Sequence, residues 1–191
     1  SVLVQPSVYG TDTAYIRDIC SAHPSRFVSV VIADYSTTEG HNLLLDELEN
    51  SYVRGARFNL LAEKRTAVDL LSDDDIKQCM GFVAEAGKVI DLHINDTQYE
   101  IVNRLAERFE KATIIVDHMG YPEPGETVSN RYAEFIRSID SFDTVFMKVS
   151  GYEMKSVEGY PFEDLRIYAE TVLETLGVSR CMWGSNYPYT S

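Results

Sequence analysis

Seven short runs rich in β-branched and apolar residues constrain the fold of this chain more than any other feature. They are "VLVQP" (2–6), "RFVSVVIA" (26–33), "VRGARFN" (53–59), "KVIDLHI" (88–94), "ATIIVDH" (112–118), "TVFMKVSG" (144–151) and "RCMWGSN" (180–186). Each has the length and residue types of a buried parallel strand. Helical patterns lie between them, over 12–22, 41–51, 72–86, 97–109, 130–139 and 161–176. Several carry start signals: Ser72 precedes three aspartates, whose carboxylates suit the positive end of a helix dipole. Gly87 and Gly177 stand where helices should stop.

Strand starts recur about every 24 to 36 residues, the pace of a repeated βα unit. No glycine-rich phosphate fingerprint follows any strand, which argues against a dinucleotide-binding Rossmann fold. A (β/α)8 TIM barrel needs eight strands and about 250 residues. Seven units in 191 residues therefore predict a single barrel domain over residues 1–191, incomplete because its first strand is missing. An open doubly wound sheet is the alternative. The chain opens at Ser1 directly into an apolar strand, so a preceding segment is expected in the parent protein. Unpaired strand edges would favour association into a homo-oligomer.

Charge and cysteine content exclude several functions. The net charge of −13 argues against a nucleic-acid partner, which needs clustered Lys and Arg. No run of about 18 apolar residues suggests a membrane span. Cys20, Cys79 and Cys181 are odd in number and widely spaced. That pattern fits buried thiols in a reducing, cytoplasmic compartment better than disulfides or a zinc ribbon.

In a barrel, reactive groups gather at the carboxyl ends of the strands. Those ends carry Gln5 and Ser7, Arg57 and Asn59, His93, His118, Lys148 and Ser150, and Asn186. Polar side chains at the ends of six strands point to a shared pocket. Arg57 is the candidate to grip a substrate carboxylate. His93, two residues beyond Asp91, is a candidate metal ligand or base. His23 precedes a strand and so belongs to the opposite face, and His41 reads as a capping or solvent residue. At the end of the chain, Cys181–Trp183 reads as a buried strand end, Gly184-Ser185 as a tight turn and Tyr187-Pro188 as a rigid exit.

The segments "VLVQPSVYGTD", "VRGARFNLL", "IIVDHMGYP", "FMKVSGYE", "GYPFEDL" and "RCMWGSNYP" resemble the amidohydrolase-related family of barrel hydrolases. Within it, they are most similar to the group of pyrone dicarboxylate lactonases and sugar lactonases. The resemblance implies that activated water opens a lactone of a small carboxylated or sugar acid. His118 then resembles the histidine that polarises the carbonyl or handles the proton, and Arg57 the arginine that binds a substrate carboxylate. Ser7, Asn59, Lys148 and Ser150 join Arg57 as candidate substrate contacts. His93 resembles the ligand of a divalent metal such as zinc in metal-dependent relatives, while the dicarboxylate lactonase branch implies a metal-free site.

Two departures stand against the matches. The family's first-strand His-x-His pair has no counterpart here, and Asn186 occupies the place of an aspartate that serves as the water-activating base. An amide can bind water but cannot take its proton. Three expectations follow for the parent protein: a lactonase, a metal-dependent decarboxylase of a carboxymuconate-like acid, or a non-catalytic binding descendant. The 191 residues by themselves are not expected to turn over substrate.

Overall fold

Every apolar run forms a strand, and a helix follows most of them. The computed structural model describes residues 1–62, 65–125 and 127–187. The strands are β1 (Val2–Val4), β2 (Val28–Ile32), β3 (Val53–Asn59), β4 (Val89–His93), β5 (Ile114–Val116), β6 (Val145–Val149) and β7 (Cys181–Trp183). The helices are α1 (Ala14–Ala22), α2 (Thr38–Leu48), α3 (Ala67–Ser72), α4 (Asp74–Glu85), α5 (Glu100–Arg108), α6 (Asn130–Asp140), α7 (Tyr152–Lys155) and α8 (Glu163–Leu176). Two compact units divide the chain: Ser1–Leu92 with Lys111–Thr113, and His93–Glu110 with Ile114–Ser191.

Strand order follows chain order, β1 to β4 and then β5 to β7. In the first unit, β1 and β2 pair in parallel with Val2 opposite Val28, and β2 with β3 with Ile32 opposite Arg57. Val31, Ala56, Phe58, Ile90 and Leu92 are buried there, and a side chain such as Phe58 contributes about 1.5–3 kcal/mol. Gln5, although polar, is fully buried. Its Nε2 donates to the carbonyls of Gly10 (2.7 Å) and Asp12 (3.0 Å), and its Oε1 accepts from Ile32 N (2.9 Å). Gln5 is therefore a stitch for the loop after β1.

In the second unit, β5, β6 and β7 pair in parallel, with Val116 opposite Met147 and Val149 opposite Trp183. Helix α6 buries Tyr132, Phe135, Ile136 and Ile139, the 3–4 spacing of an apolar stripe. Tyr99 stacks on Phe135 at 4.1 Å, and Tyr132 meets Tyr168 edge-on at 5.2 Å. These rings form the bed for the turn after β5.

Four readings change at the level of local structure. Ser72 does not start the 72–86 helix; it ends α3. Asp73 caps α4, its carboxylate accepting from the backbone of Asp75 and Ile76. The segment α3 was not anticipated, although Thr66 and Asp69 form a capping box in front of it. Residues 117–120 leave the strand for a tight turn of largely left-handed backbone. Trp183 is 80% exposed rather than buried, since β7 is the last strand in the order. Pro188 lies outside the described residues.

Candidate active site

Immediately after β5 the backbone turns in a way few sequences tolerate. His118, Met119 and Tyr121 all have positive φ (51°, 56° and 51°), as does Gly120. Left-handed backbone costs a residue with a Cβ about 1–2 kcal/mol, so the surroundings must impose it. Gly120 lies so close to Tyr99 that a Cβ would stand 2.9 Å from its ring. The aromatic bed thus sets the depth of the turn, and the turn sets the direction of His118.

His118 is 7% exposed, and its Nδ1 lies 2.9 Å from Ser150 Oγ. Gly151 backs the same ring: a Cβ there would come within 2.8 Å of His118 Cβ and Nδ1. His93 crosses His118 edge-on with centroids 5.5 Å apart, and Tyr121 stands 5.1 Å from His93 and 5.2 Å from His118. Tyr121 is held in turn by α7, where its hydroxyl donates to Met154 Sδ at 3.5 Å and Lys155 Nζ lies 5.9 Å above its ring. Beneath the turn, Lys148 Nζ pairs with Asp117 Oδ1 at 2.5 Å, and the Asp117 side chain has no exposed surface. Lys148 thereby neutralises a buried carboxylate next to His118.

Asn186 also has positive φ (51°), and its Nδ2 donates to Glu153 on α7. An amide suits this place because it can donate. An aspartate would face Glu153 as a like charge, and one of the two carboxyls would have to hold a proton. The amide thus stands, in place of the expected aspartate, where an acid is the neighbour.

In the first unit, Arg57 at the end of β3 is buried, with Nε 3.6 Å from Asp91 Oδ2. The neighbouring Asn59 donates through Nδ2 to Ser7 Oγ at 3.2 Å. The candidates thus fall into two described sets. His93, His118, Lys148, Ser150 and Asn186 belong to the second unit, and Ser7, Arg57 and Asn59 to the first. Sequence reading missed Asp117, Tyr121, Gly151 and Glu153. The signal was present in "DHMGY" and "SGYE", where each stands within three residues of a candidate.

Whether these residues fit a metal can be tested on the ligand set. Among the described residues no group of three or more His, Cys, Asp or Glu could hold a metal ion. The two neighbouring imidazoles, His93 and His118, do not amount to a closed site. The described residues therefore do not fit a metal centre by themselves.

Residues 1–191 match the amidohydrolase family, and the chain belongs to it. The family is one of α/β barrel enzymes, and the seven parallel strands follow in the order such a barrel uses. Among curated relatives, 4-sulfomuconolactone hydrolase of Rhizobium radiobacter is 24% identical over 99% of this chain and 61% of its own length. L-fucono-1,5-lactonase of Burkholderia ambifaria is 24% identical over 98% of this chain and 64% of its own. An amidohydrolase from Burkholderia multivorans, solved with bound zinc, superposes with a TM-score of 0.80 at 22% identity, over 99% of this chain and 68% of that one. The chain thus spans just over three fifths of the length of these curated relatives. Among the described residues no helix is long and apolar enough to cross a membrane.

Proposed function

We propose that the protein containing this chain hydrolyses a lactone of a small carboxylated or sugar acid. One observation carries the reading: a buried histidine, His118, is held at a strand end by a hydroxyl on one ring nitrogen. Ester opening needs such a group. Water adds to the ring carbonyl, the ring C–O bond breaks, and the products are one carboxylic acid and one hydroxyl. His118 meets the charge that develops on oxygen during that sequence. Arg57 is the proposed anchor for a substrate carboxylate, its guanidinium being held at the end of β3 beside Asp91. The relatives that act on lactones, 4-sulfomuconolactone hydrolase and L-fucono-1,5-lactonase, support the choice of bond.

Use of a divalent metal such as zinc by the whole protein is part of the proposal, with His93 as this chain's contribution and the remaining ligands supplied from outside the described residues. The zinc-bound neighbour supports it, and metal content of the purified protein tests it. A cytoplasmic setting fits the three free cysteines. A second reading, binding without turnover, is favoured by Asn186, whose amide is engaged with Glu153.

A panel of carboxylated and neutral lactones, followed by acid release, tests the main reading. His118→Gln should lower kcat/KM by about 10²–10⁴-fold, and Arg57→Met should raise KM for carboxylated lactones alone. No turnover across the panel, or full activity in His118→Gln, would reject it.

A further inference from the structure

We propose that Ser150 is a positioning residue that holds His118 in the tautomer protonated on Nε2, so that the ring presents an N–H donor to the substrate. The inference rests on the lactonase reading only for the identity of the group that receives this hydrogen bond.

Ser150 is 2% exposed. Among the described residues its hydroxyl has one hydrogen-bond partner, His118 Nδ1 at 2.9 Å. A hydroxyl carries one proton to donate and two lone pairs to accept. Were Nδ1 protonated, Ser150 Oγ would accept, and its own O–H would be left buried without an acceptor. With Nδ1 bare, Ser150 donates to it, and only spare lone-pair capacity goes unused, which buried oxygens tolerate better than orphaned donors do. The penalty for an unmade buried hydrogen bond corresponds to a bias of about 5- to 150-fold in the tautomer ratio. The alternative is therefore a minor species.

The ring is closely packed on this side: a Cβ on Gly151 would stand 2.8 Å from His118 Cβ and Nδ1, so only glycine leaves the imidazole its place beside Ser150. The positive φ of His118 itself fixes the start of the side chain. Gly184 also packs against this hydroxyl, and a Cβ there would stand 3.4 Å from the serine oxygen. Ser150 was expected among the substrate contacts; the arrangement assigns its oxygen to the histidine.

Nitrogen NMR of the full-length protein labelled in its histidine rings reads the tautomer directly, with the His118 signals identified by their loss in His118→Gln. The expected result, at a pH where the ring is neutral and with no substrate present, is an unprotonated Nδ1 shifted by a hydrogen bond and a proton on Nε2. In Ser150→Ala the Nδ1 signal should move toward its free value, and kcat should fall about 10–100-fold with KM little changed, as when other orienting partners of a histidine are removed. Ser150→Cys, with its weak S–H donor, should fall between the two. A proton on Nδ1 in the parent protein overturns the proposal, as does a Ser150→Ala spectrum identical to the parent's. Because the tautomer is read without turnover, a bare Nδ1 in an inactive protein would count against the lactonase reading alone.

Discussion

Replacing Lys148 by Met tests how the site tolerates a buried carboxylate. Lys148 Nζ lies 2.5 Å from Asp117 Oδ1; the lysine side chain is 11% exposed and the aspartate side chain 0%. Met keeps much of the aliphatic length of Lys and removes its charge, so the change is electrostatic far more than steric. Removing one member of a buried pair strands the other, at a cost of about 3–5 kcal/mol. For a chain of this size each kcal/mol shifts the melting point by about 2–4 °C, so a fall of about 6–20 °C is expected. Urea unfolding followed by circular dichroism gives the free energy, and an unchanged slope would show that the loss lies in the folded state. Adding Asp117→Asn to Lys148→Met should return a large part of the loss, because it removes the buried carboxylate whose cation has gone. A single Lys148→Met variant within about 0.5 kcal/mol of the parent would refute the reasoning, since surface pairs behave that way.

Two further perturbations address the ring and the interior. Gly151→Ala combines a backbone at φ 78° with a Cβ 2.8 Å from His118, so it should cost about 1–2 kcal/mol. It should also lower kcat by up to about 10²-fold through displacement of the imidazole, measured by melting and by lactone turnover; an intact rate would show that the ring position is unimportant. Burial pushes the Cys79 thiol up from 9.0 to about 12. The unfolded chain therefore loses this proton at lower pH than the folded one, so the thiol's contribution is complete below pH 9 and is lost as pH rises toward 12. Cys79 should resist thiol reagents at pH 8 until the protein unfolds, and rapid modification of the native chain would contradict its burial.

The strands were legible because β-branched residues cluster in them and because each is bounded by polar turns. β3 matches its run from Val53 to Asn59 end to end. β5 was read too long for a physical reason: the polar Asp117 after it continues no ladder and turns the chain instead, whereas at β7 the turn at Gly184-Ser185 was legible directly after Trp183. The candidate residues were legible as types at strand ends, but not their partners. Asp117 meets Lys148 and Asn186 meets Glu153 across about thirty residues of chain, a separation no local pattern encodes. Gln5 shows the converse. Its position at a strand end suggested a rim residue, yet its amide serves three backbone groups, a use visible only once the loop after β1 is traced.

The bond between Asn186 and Glu153 has a historical side. While Glu153 is in place, a single change at 186 to an acid would bring two negative groups into contact, which disfavours the charged form of a base there. Exchanging Glu153 for glutamine first would keep an acceptor for the Asn186 amide while removing the charge, and open the way for the second step. Building an acidic rim at this place therefore takes two changes in a set order, the neighbour before residue 186.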